Sequence, residues 1–186
     1  MQNRLSKIYT RTGDSGTTGM ADGSRVTKDS LRMHAIGEVD ELNSILGVVI
    51  HKSQAGELKE DMITIQHDLF NLGGQLAMPE YQMINKQRIE WLENTLDTMN
   101  AKLESLKEFI LPGGAEEACF CHMARTICRR TERSLVSLHN ETPISIELLS
   151  YINRLSDWLF VAGRVINKYQ NIDEVYWQSD RIKKDT

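Results

Sequence analysis

The segment Thr10-Arg11-Thr12-Gly13-Asp14-Ser15-Gly16-Thr17-Thr18, with Gly19 behind it, concentrates the groups that grip an anion. Glycines at 13, 16 and 19 let backbone N–H groups converge, the interleaved hydroxyls add donors, and Arg11, Arg25 and Lys28 supply charge. Together these are the parts of a phosphate-binding concavity. The Walker pattern G-x-x-x-x-G-K-[ST] is missing and no β-α-β unit surrounds the segment, so neither standard nucleotide fingerprint applies. On composition alone, a flexible terminus rich in turn residues remains an equal alternative.

A second set of cations lies far downstream. Arg125, Arg129 and Arg133 recur at four-residue spacing and fall on one stripe of a helix. Such stripes are usually solvated, and Glu132, three residues from Arg129, offers an ordinary intrahelical partner. This stripe, however, borders the small edge Cys121, Ala124, Cys128, Thr131 and Leu135, which withdraws Arg125 and Arg129 partly from water. Partly buried arginines require anions, either carboxylates or a polyphosphate. Glu38, Asp40 and Glu41 offer the former on another helix, and Asn153, Arg154 and Asp157 add polar groups on a third. Metal readings fail on spacing. No histidine has a glutamate three residues before it, as a di-iron bundle requires. Cys119 and Cys121 point about 200° apart on a helix and cannot share one zinc ion. All three cysteines are read as small core residues.

These groups must be carried by helices. Leu58, Met62, Ile65, Leu69, Leu72 and Leu76 step by four and three alternately, and the rhythm returns in Ile89, Leu92, Leu96, Met99, Leu103, Leu106 and in Leu148, Ile152, Leu155, Leu159, Ala162, Ile166. Two further helices, roughly Ser30 to Lys52 and Ala115 to His139, fill the gaps, and breaks fall at Pro79, at Pro112-Gly113-Gly114 and at Pro143. The reading is an all-α, five-helix up-and-down bundle forming one domain: an irregular arm over 1–28, the bundle over 29–170 and a tail over 171–186. A formal charge of −4 gives no basic footprint for nucleic acid. No stretch approaches the roughly 20 apolar residues of a membrane span, and three closely spaced cysteines do not form a disulfide framework, which suits a soluble protein in a reducing cytoplasm.

Five blocks, in order, resemble the PduO-type ATP:corrinoid adenosyltransferases: Tyr9 to Thr18; Gly37-Glu38-Val39-Asp40-Glu41-Leu42-Asn43-Ser44; Phe109-Ile110-Leu111-Pro112-Gly113-Gly114; Ala124-Arg125-Thr126 with Arg129-Arg130-Thr131-Glu132-Arg133; and Tyr151-Ile152-Asn153-Arg154-Leu155-Ser156-Asp157. The resemblance implies a homotrimer with sites between subunits that binds ATP with Mg²⁺ and a corrinoid such as cobalamin. The 5′-deoxyadenosyl group passes to cobalt, with a Co(II) corrinoid reductase and an adenosylcobalamin-dependent enzyme as partners. Carried over by position, Thr10, Arg11, Thr12, Gly13, Thr18, Gly19 and Lys28 resemble triphosphate ligands, and Arg129, Arg130, Glu132, Arg133 and Asn153 the other nucleotide contacts. Arg125, ion-paired to Asp40, resembles the residue that orients the chemistry, and Phe109 the aromatic at the lower face of the corrin. Arg11 stands where many relatives carry lysine, and Thr131 where alanine is common. A non-catalytic ATP- or corrinoid-carrying module is the alternative.

Overall fold

The structure, a computed structural model, describes residues 8–53 and 56–178. A two-stranded antiparallel hairpin, β1 (Thr17–Gly19) and β2 (Arg25–Thr27), precedes five helices: α1 (Leu31–Lys52), α2 (Gly56–Ala77), α3 (Lys86–Asn100), α4 (Glu116–Glu141) and α5 (Ile146–Tyr169). The hairpin corrects the expectation of a wholly irregular arm. Its strands have only three residues each, too short for alternation to register.

Local chemistry sets the helix starts. Ser30, Asn85 and Ser145 cap α1, α3 and α5, accepting from the N–H of Met33, Arg88 and Glu147 respectively, each cap being worth about 1 kcal/mol. α4 has no side-chain cap, but Glu116 and Glu117 occupy its first turn, where the helix dipole favours negative charge.

Side-chain bonds between helices fix their directions. Arg32 donates to the Leu76 carbonyl (2.6 Å), while Asn43 and Gln66 donate to each other's carbonyls (3.3 and 3.1 Å), so α1 and α2 are antiparallel. Lys52 meets Glu116 (2.9 Å) and Thr131 donates to the Glu38 carbonyl (3.1 Å), making α4 antiparallel to α1. The Cys121 and Cys128 thiols donate to the Leu159 and Ile152 carbonyls (3.2 and 3.3 Å), so α5 is antiparallel to α4. Glu93 bonds Arg154 (2.9 Å) and Thr95 accepts from the Trp158 indole (3.0 Å), which sets α3 parallel to α5. The chain therefore runs up, down, up, down, up, with α3 packed chiefly on α5. Because α3 packs on α5 and α5 in turn on α4, the link from α3 to α4, residues 101–115, passes over the C-terminal end of α5.

The α2 and α5 seams are buried along their whole length. The third seam is shorter than its periodicity: α3 stops at Asn100, and Leu103 and Leu106 lie in the crossing segment. There the carbonyls of Lys102 and Glu104 accept from the Lys168 and Arg164 side chains of α5 (2.5 and 2.8 Å), turning the chain across the bundle end. Cys121 and Cys128 are buried as expected, whereas Cys119 is exposed on the outer face of α4.

One buried polar cluster joins α2, α3 and α5. Arg88 donates to Asp68 through Nε and Nη2 (2.9 and 2.5 Å), the Tyr151 hydroxyl donates to the same carboxylate (2.8 Å), and the guanidinium lies 4.5 Å from the Trp91 ring centre. Burial, reinforced by the Asp68 charge, holds the Tyr151 phenol well above its ordinary range. Removing one partner of such a pair strands the other, and the Asp68 side chain is only 6 % exposed. Arg88→Met is therefore expected to cost about 3 kcal/mol. Asp68→Asn keeps an acceptor for Tyr151 and leaves a cation that can reach water, so it should cost clearly less. Urea unfolding of both variants checks the order.

Candidate nucleotide and corrinoid site

In the arm, Arg25 of β2 gathers the loop around itself. Its Nη2 donates to the Thr12 carbonyl (2.6 Å) and the Thr17 hydroxyl (2.7 Å), and its Nε to the same hydroxyl (3.2 Å). The Gly16 N–H bonds the Gly13 carbonyl (3.2 Å), and the Lys28 N–H closes on the Gly16 carbonyl (2.9 Å). A Cβ on Gly13 would sit 3.1 Å from the Lys28 Nζ and 3.2 Å from the Thr17 carbonyl, so glycine there lets the ammonium approach the loop. Gly16 has φ +82°, where glycine is unstrained, and Arg11 has φ +59°, a backbone costing a non-glycine residue about 1 kcal/mol. Arg11 lies 5.6 Å from the Tyr9 ring centre, and the Thr10 and Thr12 hydroxyls share a hydrogen bond (2.9 Å). Thr18 and Gly19 belong to β1. The loop is thus a formed structure rather than a loose terminus.

On α4, Arg125 is half-buried while Arg129 and Arg133 are exposed. Arg133 donates to the Arg129 carbonyl one turn back on α4 (2.9 Å), and Asn153 of α5 donates to Glu132 (2.9 Å), so Glu132 and Asn153 join the two helices at the level of the stripe's end. The buried Arg125 Nε has no hydrogen-bond partner among the described residues. Burial, and then the neighbouring Arg129, make its cation harder to hold than usual. Burial pushes the Cys121 thiol up to about 12 and raises Cys128 likewise, so both are inert donors rather than nucleophiles or metal ligands.

Two expected assignments change. Arg130 does not face the same way as the stripe: its Nε bonds Glu38 (2.5 Å) and its Nη2 bonds Glu41, clamping α4 to α1. Asp40 lies about 200° around α1 from Glu38, lining a groove with Met33, Ile36, Phe70 and Gly73 on the α1–α2 side. An Asp40–Arg125 ion pair consequently does not form within one chain among the described residues. Nor does a hydrogen bond or ion pair join the loop 10–28 to α4 among them.

Phe109 sits in the crossing segment at the bundle end, 74 % exposed, with its ring 6.3 Å from that of Trp177. Behind it, Asn167 accepts from the Ala115 N–H (2.9 Å) and donates to the Gly113 carbonyl (3.1 Å). Gly114 has φ +109°, and a Cβ there would fall 2.1 Å from the Asn167 Oδ1, which accounts for the Pro112-Gly113-Gly114 turn. Sequence reasoning missed the organising role of Arg25, visible only once β2 pairs with β1, and the tail's return to Phe109, for which no spacing gives a signal.

The sequence matches the cobalamin adenosyltransferase family over residues 8–166. The chain belongs to that family. It is 49 % identical, over 97 % of its length and 99 % of the relative's, to the cobalamin adenosyltransferase of Cupriavidus metallidurans. It is 42 % identical to the corrinoid adenosyltransferase of Bacillus subtilis, over 95 % and 94 % of the two chains. Among solved structures, a phenylalanine-to-alanine variant of the PduO-type ATP:corrinoid adenosyltransferase from Lactobacillus reuteri, complexed with cobalamin and ATP, superposes with a TM-score of 0.88 at 36 % identity, covering 93 % of this chain and all of that one. An arginine-to-lysine variant of the same enzyme, complexed with ATP, gives 0.87 at 36 % identity, over 92 % of this chain and all of that one. The expected family and helical fold are borne out.

His122, one turn before Arg125, is 4 % exposed, with neither ring nitrogen bonded among the described residues. Burial, and secondarily Arg125, lower its pKa below 6.5, against an opposing pull from Glu174. As pH falls through that ordinary value the unfolded chain binds a proton that the folded chain does not, so stability is lost on acidification. His122→Leu should flatten this part of the pH dependence, measured as the difference in unfolding free energy between about pH 8 and about pH 5.5.

Proposed function

We propose that this chain transfers the 5′-deoxyadenosyl group of ATP to the cobalt of a cob(I)alamin-type corrinoid, releasing triphosphate and forming adenosylcobalamin. The observation that carries the reading is the cationic stripe of α4, which has no carboxylate in ion-pair reach of Arg125, Arg129 or Arg133 among the described residues. The same chain, a member of this family, carries a loop whose backbone is gathered by Arg25 in the manner of a phosphate grip.

In the transfer, the Co(I) electron pair attacks C5′, the C5′–O bond breaks, and its electrons leave with the triphosphate. Charge grows on the leaving group as the bond stretches, and donors fixed in advance lower the barrier by stabilising it. The N–H groups of residues 10–13 with Arg11, Thr18 and Lys28 serve that end, and Arg129, Glu132, Arg133 and Asn153 hold the rest of the nucleotide. Arg25 keeps the loop in shape. Arg130, occupied by Glu38 and Glu41, holds α1 against α4.

No three His, Cys, Asp or Glu side chains converge among the described residues, so Mg²⁺ has no all-protein cage here. That donor set fits an ion carried on the phosphates, since Mg²⁺ keeps waters and takes one or two carboxylates plus substrate oxygens. Glu132 is the carboxylate beside the stripe, and the ion would neutralise charge on the leaving triphosphate. Phe109, exposed at the bundle end, provides an apolar face for the corrin's lower side, where it displaces the axial base and eases reduction of Co(II).

Among the described residues no hydrogen bond or ion pair joins the loop to the stripe within one chain, and Asp40 lines a groove on the α1–α2 side, unpaired with Arg125. Both facts fit a homotrimer in which one subunit's Asp40 and loop complete the site at another's Arg125. No described helix is long and apolar enough to cross a membrane, in keeping with work in the cytoplasm alongside a Co(II) corrinoid reductase.

Anaerobic incubation with cob(I)alamin and MgATP should yield adenosylcobalamin and triphosphate in equal amounts; binding of both without turnover would point to a carrier, and no product at all rejects the reading. Arg125→Ala and Asp40→Asn should each abolish most activity, with the double variant little worse. Mixing the two inactive variants should restore about a quarter of wild-type activity if each site draws on two subunits, because that fraction of interfaces pairs an intact Arg125 with an intact Asp40. A site within one chain would recover nothing.

A further inference from the structure

The residue that carries Phe109 into place lies nowhere near it in sequence. Arg164 belongs to the C-terminal half of α5, and its side chain is only 6 % exposed. A buried guanidinium is stable only when its donors are engaged. Here Nε and Nη2 grip the two oxygens of Glu174 (2.7 and 3.1 Å), and Nη2 also donates to the Glu104 carbonyl (2.8 Å). One planar cation thus ties the helix to the returning tail and to the start of the crossing segment, a bidentate geometry that lysine could not reproduce.

After α5 the chain reverses at Asn171, at φ +55°, and the Ile172 N–H bonds the Asn167 carbonyl (2.9 Å). Past Glu174 the tail runs antiparallel to the crossing segment: the Leu111 N–H donates to the Val175 carbonyl (2.8 Å), the Trp177 N–H donates to the Phe109 carbonyl (2.7 Å), and Ile110 pairs with Tyr176. The rings of Phe109 and Trp177 are tilted by 54° at 6.3 Å, within the centroid range of aromatic pairs. Phe109 itself, being 74 % exposed, has little packing of its own to hold it. A lone two-stranded pairing is marginal in water, so this one needs an anchor, and the Arg164–Glu174 pair stands one residue before it.

We propose that Arg164 is a positioning residue for Phe109, acting through Glu174 and the strap 174–177. The inference rests on the reading of Phe109 as the corrinoid-facing aromatic and adds the device that sets it. Arg164 does no chemistry; it fixes where the Phe109 backbone lies and which way its ring is braced.

The experiment uses the full chain with two variants, Arg164→Met and the milder Glu174→Gln, the second standing in if the first does not fold. Hydrogen exchange at the Leu111 and Trp177 amides reads the strap directly. Both should exchange at least about tenfold faster, while amides in the middle of α4 and α5 stay protected. Activity is measured from Co(II) with a reductant and from pre-formed Co(I). The variants should lose about tenfold or more in the first assay and clearly less in the second, as Phe109→Ala should, and should add little in a Phe109→Ala background. Unchanged exchange overturns the proposal, as does an equal loss in both assays or a full additional loss in the Phe109→Ala background. If Phe109→Ala itself slows both assays equally, the reading of Phe109 fails and the reaction role of Arg164 with it, while the exchange result still decides whether Arg164 pins the strap.

Discussion

Arg125, Arg129 and Arg133 must be held along one helix against their mutual repulsion, and most of the bundle depends on how that is done. Like charges one turn apart on a helix are destabilising by a few tenths of a kcal/mol per pair, and partial burial of Arg125 adds desolvation. α4 offsets this through its other faces. Ala124, Cys128, Thr131 and Leu135 are buried, and the Cys121 and Cys128 thiols and the Thr131 hydroxyl bond backbone carbonyls of α5 and α1, so small residues bring the helices close. Arg130, the one arginine turned toward α1, takes up Glu38 and Glu41. The nearby acids are therefore spent on the neighbouring cation, and the stripe keeps its charge for a ligand.

The seams of α2 and α5 were legible because each is apolar at every expected position and buried throughout. The α3 seam misled at its end: Leu103 and Leu106 continue the spacing, but after Asn100 the chain tightens into three-residue turns, with the Lys102 and Leu103 N–H groups on the Met99 and Asn100 carbonyls, and the carbonyls beyond are held by Lys168 and Arg164 of α5. Periodicity reports one helix's own pattern and carries no sign of contacts made by another helix distant in sequence. The hairpin was hidden for the opposite reason, since three-residue strands carry too few alternations to separate from turn residues. At the site, the loop and stripe were legible as donor-rich patterns, and the ordered motifs named what they resemble. The direction of Asp40 was not, because choosing between Glu38, Asp40 and Glu41 as partners of α4 depends on the rotation of α1 about its axis. Arg164 shows a further limit. Its burial comes from the tail folding back over it, and a tail without periodicity gives no warning of where it will lie.

The packing of α3 on α5, away from α4, has a cost and a use. It sends residues 101–115 over the end of α5 at the point where the tail also emerges, so two irregular segments share one surface and must satisfy their backbone groups there. They do so largely through each other and through three α5 side chains, Arg164, Asn167 and Lys168. The result is a fixed platform that presents Phe109 to solvent. A short link between directly packed helices would have left no such platform.

The two ends of the site are solved by different means, and the difference bears on how the protein assembles. The platform around Phe109 and the Asn153–Glu132 bond between α5 and α4 are each made within one chain, since their hydrogen bonds close on local partners. The loop and the stripe are each incomplete. Arg25 organises the loop internally, yet no hydrogen bond or ion pair joins that loop to α4, and the Arg125 Nε is buried without a partner among the described residues. A buried unsatisfied donor costs roughly 1–3 kcal/mol, and Asp40, the acid that the family resemblance assigns to it, faces outward from a groove beside the exposed Phe70. A second copy would relieve both deficits at once, covering Phe70 and bringing a carboxylate to the guanidinium. On the proposed reading assembly and catalysis draw on the same residues, since Asp40 and Arg125, unpaired with each other in one chain, would meet only across subunits.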